Sequence, residues 1–507
     1  MLSLMKVMSM ACMVVGAWAL GACSILYNPN NLPDPKADAA PDAPTVVDAC
    51  QLGLEAVGPQ VLFEGQGTGG SRPAILAIRG RNIAPDATVA LVLMEPQGPA
   101  PMINIDNDHA VRSPSGTGMA VPVTLPIDPA RGTNGECPGA DAVALTVQVT
   151  QMCSSGPVTQ QLSAHVALCN LFELEAPITN VAMLKNKYSR VRVTTAMSFA
   201  ASAAPVVIRA AGSIELGDVH ADAVGATAGA GGAGGGPKQM KGSGSGGGNP
   251  GSVILDITQL SLLAAGSGGG FGSAGAPGAG STATPGGGVT GDEWLGPSSQ
   301  SSGGGGGGIN PGGGGGGRIE LTAGGTLTAG TISANGSGGG VGNLLSGAGG
   351  GGSGGAILLR SGGPATIGAI LANGGPGGTT GPAGGAGGGG RLRYDVPSLV
   401  GTPAMPMAHR KGVAFVESNP LMTTDGQQDL SVVSELSPTM SKNVFDVYVF
   451  DETNTSTEKA SITFIAPSLK FRPTYNKGYN RICVTPAGVN PLVDDALRNC
   501  IDVAYVP

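Results

Sequence analysis

The sequence predicts an all-β protein in which two β-sandwich domains flank a glycine-rich, right-handed parallel β-helix-like repeat region. Three observations carry this. Apolar residues alternate with period two in runs near both ends of the chain. The stretch GGRIELTAGGTLTAGTISANG around Arg318 returns as GGAILLRSGGPATIGAILANG around Ala356, so Ile319 matches Ile357 and Ile332 matches Ile370. The 507 residues include 90 glycines but are only 12% charged and 4% aromatic, against a usual charged fraction of roughly a quarter.

Residues 1–22 read as a lipoprotein signal peptide. Lys6 precedes an apolar run from Val7 to Ala22, too short for a comfortable membrane span of ~20 residues. The run ends in Leu20-Gly21-Ala22-Cys23, which resembles the bacterial lipobox, with glycine where alanine is commoner. The resemblance implies that Cys23 becomes the lipidated N-terminus after cleavage. It also implies, with Ser24 following, an address at the outer membrane.

Residues 23–49 then form the anchor and a Pro/Ala/Asp-rich tether. From Asn28 to Ala49 almost no apolar side chain is present to drive folding. Its prolines favour an extended chain at ~3.1 Å per residue, a reach of roughly 60–70 Å. No second hydrophobic span is apparent, so lipid is the expected anchor.

Residues 50–171 form the first β-sandwich. Ile75 to Ile83 followed by Ala87 to Leu91 reads as strand, turn, strand, and Ala142 to Val149 and Leu162 to Leu168 alternate as well. The turn Gly80-Arg81-Asn82 before Ile83 resembles the immunoglobulin-like TIG domain, although phenylalanine is more usual at the Ile83 position. Residues 396–507 form the second sandwich, from Val444 to Val449, Ser461 to Ile465 and Cys500 to Tyr505.

Between them, residues 172–395 hold the repeat. Ile319, Leu321, Ala323, Leu327, Ala329, Ile332 and Ala334 would face one way, as three short strands broken at Gly324-Gly325 and Gly330. An earlier copy fits the same frame at Val206, Ile208, Ile214, Val219 and Asp222, and a looser one runs from Val253 to Leu262. One such coil cannot bury its apolar row, but coils stacked about 4.8 Å apart can. Asn335 and Asn373 are placed at turns, where asparagine tolerates left-handed dihedrals and can ladder with the next coil. The pattern resembles glycine-rich β-helical surface proteins of myxobacterial type.

Glycine-rich inserts leave this repeat, including the hexaglycines Gly303 to Gly308 and Gly312 to Gly317. Composition leaves open whether they move freely or pack as polyproline II strands. An insert outside the coil costs little to shorten, so deleting the hexaglycines is expected to leave the body intact.

Removing Cys12 with the signal peptide and Cys23 to lipid leaves Cys50, Cys137, Cys153, Cys169, Cys483 and Cys500. In an oxidising compartment an even number reads as disulfides. Cys483–Cys500 is the expected pair, worth ~3 kcal/mol in the loop-entropy account. The other four admit three pairings.

Motifs for catalysis or metals are weak. Gly242-x-Gly244-x-x-Gly247 follows no apolar strand and opens no helix, so it makes a poor dinucleotide loop. Ser353 in GGSGG precedes a strand rather than the helix a nucleophile elbow needs. Asp106-Asn107-Asp108 lacks the glycine and glutamate of a calcium loop and reads as a solvated turn. Lys185, Lys187, Arg190 and Arg192 form the one basic cluster, read as a solvated strand face. From Gly212 to Gly390 only 11 residues are charged, against ~45 at ordinary composition. Asp292-Glu293-Trp294 is the sole acidic-aromatic cluster there, read as a turn anchored by a buried tryptophan.

The expectation is therefore a lipid-anchored, surface-exposed outer-membrane protein with a structural or adhesive role and neither catalysis nor a cofactor. Its expected partners are the membrane, surface glycans and other envelope proteins. A net charge of −7 speaks against nucleic acid. The alternative is a carbohydrate-binding or polysaccharide-cleaving protein.

Overall fold

A computed structural model describes residues 51–68, 73–94, 102–127, 142–169, 171–254, 258, 262–406, 408–417, 421–438, 440–491 and 499–507. The signal peptide, Cys23, the tether, Cys50 and Cys137 lie outside the described residues. The chain divides into units 1–46 and 47–507, and all the described residues belong to the second. The protein is nearly all β, with 41% strand against 2% helix.

The N-terminal part consists of two sheets facing one another across an apolar core. One sheet is centred on the antiparallel strands Ala74–Arg81 and Gly118–Thr124, the other on the hairpin Ala142–Cys153 and Gly156–Cys169. Leu76, Ile78, Val121 and Val123 from the first meet Leu145, Val147, Val149 and Val166 from the second, all at most 1% exposed. The strand Ala74–Arg81 ends at Asn82, whose φ of 56° is left-handed, a conformation asparagine tolerates better than most residues. The reversal is fixed by Gln151, which accepts from Ala84 N at 2.8 Å and donates to Asn82 O at 2.9 Å.

The same strand explains a feature the terminal parts share. With period two, Leu76 and Ile78 face inward while Ile75 and Ala77 face outward. That outer face is buried too, with Ala120, against Tyr479, Ala504 and Val506 of the C-terminal part. The two ends of the body pack on each other rather than lying as separate beads along the chain. The unbroken run Ala74-Ile75-Leu76-Ala77-Ile78 is thus a strand covered on both faces.

The C-terminal part also pairs two sheets over one core. The larger contains Val444–Phe450, Gly478–Pro486 and Asn499–Tyr505, and the smaller contains Leu430–Val433 and Ser468–Phe471. Cys483 and Cys500 are direct antiparallel partners and form a disulfide. Cys169 is disulfide-bonded as well.

In between, all strand pairing is parallel. The strands Val206–Ala210, Arg318–Ala323, Ala356–Ser361, Arg391–Asp395 and Ala408–Lys411 make one sheet. Its register places Val206, Ile319, Ile357 and Leu392 in one row. A second sheet places Val219, Ile332 and Ile370 in another. The 38-residue spacing of the sequence is therefore the distance from one layer to the next, and apolar residues stack on their own equivalents. The sheet runs on to Lys411, past the boundary drawn at 395.

The third side of each layer is glycine. The inserts travel out from Ala221, Ala334 and Ala372 and return to Arg318, Ala356 and Arg391. Their backbones are tied together with period three. Ala348, Gly351 and Gly354 donate to Pro382, Gly385 and Gly388. Gly349, Gly352 and Gly355 donate to Gly340, Ser337 and Ala334, while Gly350 and Ser353 donate to Gly305 and Ser302. Each segment thus turns a new edge to a new neighbour at every residue and repeats after three, the period of polyproline II and not of a β-strand.

This corrects the expectation that the hexaglycines are dispensable. Gly303 to Gly308 and Gly312 to Gly317 are buried throughout. The physical reason is close approach. A Cβ on Gly305 would come closer than 3.0 Å to the backbone of Asn249 and Gly248, and one on Gly350 would do so to Ser267 and Gly268. Backbone hydrogen bonds between segments, rather than apolar side chains, join this layer.

Candidate functional site

Polar chemistry gathers in three places on this body. The first is a joint at the outer face of the parallel sheet. Period two turns Arg318, Glu320, Arg393 and Asp395 away from the apolar row, yet all four are at most 8% exposed. They are covered by the turn that carries Asp292-Glu293-Trp294. Arg318 donates to Glu320 Oε1 at 2.7 Å and to the carbonyls of Leu295, Gly296 and Ser299 at 2.6–3.1 Å. Arg393 donates to Asp395 Oδ1 at 2.8 Å and to Trp294 O at 2.9 Å.

Trp294 itself is buried. The Arg410 guanidinium lies 4.0 Å from its ring centre, and Phe445 of the C-terminal core meets it edge-on at 5.0 Å. The tryptophan therefore pins the glycine inserts, the parallel sheet and the C-terminal sheets together, and it offers no face for a sugar. Beside it, burial alone would raise the Glu293 carboxyl. Arg410, Lys442 and Ser437 outweigh burial and hold it below the ordinary carboxylate range.

The second place is a chain of hydrogen bonds along the edge where each layer turns into its insert. Asp222 Oδ1 accepts from Asn335 N at 2.6 Å, and Asn335 Oδ1 accepts from Asn373 N at 2.9 Å. Neither Asn335 nor Asn373 has the left-handed backbone that the sequence suggested. What the side chain supplies is an acceptor for the next layer's N–H. Next to this ladder, Ser333 Oγ lies 2.7 Å from both His220 Nδ1 and Asp222 Oδ2. A catalytic triad needs the histidine between serine and carboxylate. Here the serine is in the middle and 2% exposed, so the group holds layers together instead.

The third place is a cleft of about 420 Å3 where the N-terminal sheets, the parallel stack and the C-terminal sheets meet. Lys187, Arg209, Arg360 and Arg481 line it, together with Asp502. Lys187 lies 3.4 Å over the Phe63 ring. Asp502 accepts from Tyr479 Oη at 2.6 Å and Arg481 Nε at 2.8 Å. Burial opposes the Asp502 charge, but Arg481 overrides it and keeps the carboxyl below its usual value, while burial pushes the Tyr479 hydroxyl well up.

The basic stretch read as a solvated strand face is therefore split. Arg190 and Arg192 pair along the surface with Glu173 at 2.7 Å and Glu215 at 3.4 Å. Lys187 turns into the cleft because its neighbour Tyr188 is drawn into the core at 2% exposure.

Other sequence candidates are placed plainly. Ser353 is fully buried in the glycine layer, where its Oγ accepts from Ser302 N at 2.8 Å. Asp106 and Asn107 build a turn, in which Asp106 accepts from His109 N at 3.1 Å and Asn107 from Val89 N at 2.8 Å. Cys153 sits in the N-terminal hairpin. Among the described residues no three His, Cys, Asp or Glu side chains converge as metal ligands would, and no helix is long and apolar enough to cross a membrane. No family model, curated protein or solved structure matches the chain.

Proposed function

We propose that the protein is a lipid-anchored component of the cell envelope, with a structural or adhesive role at the outer surface. In this reading the parallel stack is a right-handed β-helix, and the two-sheet parts at its sides are immunoglobulin-like sandwiches, the first of them TIG-like. Parallel register over successive layers supports the first assignment, and facing sheets over a single core support the second. The Leu20-Gly21-Ala22-Cys23 sequence and the tether support anchoring and distance from the bilayer.

The observation that carries the functional reading is the glycine layer. It is a layer of buried, mutually hydrogen-bonded backbone, built to hold a shape. A rigid layer on a tethered body suits presentation of a contact surface. The test is the Cys23→Ser variant expressed with its own leader and fed labelled fatty acid. Loss of label and of membrane retention, with loss of surface contact by intact cells, is expected. Label that persists would place the anchor elsewhere.

A second reading, binding of an acidic carbohydrate, is favoured by the cleft alone, where four cationic side chains surround one carboxylate. Retention of a uronic-acid oligosaccharide by the parent and not by Arg209→Glu would support it.

A further inference from the structure

Large apolar side chains stand exposed at the end of the glycine layer that lies away from the strands. Leu344 is 84% exposed, and Met240, Leu262, Ile309, Val341 and Leu345 are 40–58% exposed. Their loops form one surface, because hydrogen bonds run from each to the next. Gly306 N donates to Met240 O, Asn310 Nδ2 to Val341 O, Ile254 N to Leu345 O, and Ser252 Oγ to Leu262 O, at 2.7–3.0 Å. Gly308 N, donating to Gly347 O at 2.9 Å, and Gly251 N, donating to Gly306 O at 2.8 Å, join these loops across the middle. The charged side chains of this end, among the described residues, are Lys238 and Lys241, both exposed, with no carboxylate beside them.

We propose that this end docks on a bilayer surface bearing anionic phospholipid headgroups. The apolar side chains enter the interfacial layer while the two lysines meet the phosphates. Two features favour lipid over a second copy of the chain. Self-association through this end would bring like-charged lysines together, with no carboxylate among the described residues of this end to answer them. The loops also rest on a hydrogen-bonded bundle, so seating them on a surface orders little that is not already ordered. The inference names a partner for the adhesive role proposed above and rests on that reading for its setting. It is separable from lipid anchoring because its test leaves Cys23 out.

The test uses the compact body Val47–Pro507, which contains every described strand and core. Its binding to phosphatidylcholine vesicles is measured with and without phosphatidylglycerol. Two lysines at roughly fivefold each predict about 25-fold tighter binding to the anionic vesicles, removed in Lys238→Glu/Lys241→Glu. Leu344→Asp/Leu345→Asp is expected to weaken binding to either vesicle at least about tenfold. Because these side chains are exposed, both variants should keep the parent's unfolding midpoint. A polarity-sensitive fluorophore on Leu344→Cys should shift to the blue on anionic vesicles, which reads the contact without removing charge. Absence of vesicle binding by the parent, or full binding by the leucine variant, overturns the proposal. So does a dimer that the leucine substitutions abolish while vesicles go unbound.

Discussion

Replacing one buried glycine by alanine tests whether the glycine layer is packed. At Gly305 the added methyl would come closer than 3.0 Å to the backbone of Asn249 and Gly248. These are main-chain atoms, which cannot swing aside as a side-chain end can. Overpacking of this kind costs ~1–3 kcal/mol. Moving the segment also strains two hydrogen bonds, Gly305 N to Ser267 O at 2.9 Å and Gly350 N to Gly305 O at 2.8 Å, at ~0.5–1.5 kcal/mol each. Against this, alanine restricts the unfolded chain and returns ~0.4–1 kcal/mol. Gly305→Ala should therefore destabilise by about 1–6 kcal/mol. Gly288 is the internal control, since a Cβ there meets nothing within 4 Å. Gly288→Ala should be neutral or stabilising by up to ~1 kcal/mol. Urea unfolding of both variants beside the parent gives the numbers. Equal stability of the two would refute the reasoning, because composition changes identically and only the packing differs.

Three further outcomes follow from the same contacts. Ile332→Asp places an unpaired charge between Val219 and Ile370 and should cost more than ~4 kcal/mol by thermal unfolding, while Thr328→Asp on the exposed side of the same strand should stay within ~0.5 kcal/mol. Arg318→Met strands Glu320 and three carbonyls in a buried site. It should cost ~3–5 kcal/mol and shift the emission of Trp294, the single tryptophan beyond the signal peptide, toward that of a solvated indole. The Glu293 carboxyl has a folded value depressed below its unfolded one, so its contribution is present above the ordinary value of about 4.3 and is lost as pH falls through the folded value. The unfolding midpoint read by Trp294 should therefore fall more steeply below about pH 4.3 in the parent than in Glu293→Gln.

The parallel stack was largely legible in the sequence, because its rows obey a period. Ile319 over Ile357 and Ile332 over Ile370 are both repeat partners and strand partners, since each residue is buried by its own equivalent. The disulfide Cys483–Cys500 was legible for a related reason, in that a short loop between two alternating runs makes the cysteines neighbours. The glycine layer was not. Glycine has no side chain to alternate, so a packed segment and a free one look alike in composition. The signal that distinguishes them is the period-three hydrogen bonding, which depends on segments far apart in the chain. The joint at Trp294 and the basic cleft were hidden likewise. Arg318 and Leu295, or Lys187 and Asp502, meet only after the inserts and the two ends have folded back.

The central claim, that glycine backbone forms an ordered wall of this body, is tested most directly by amide hydrogen exchange. The account predicts that Gly304, Gly305, Gly313 and Gly350 exchange as slowly as Ile319 and Leu321 in the neighbouring strand, because each amide is buried and donates to another segment. Unprotected exchange at those glycines, with Ile319 and Leu321 still protected, would contradict it.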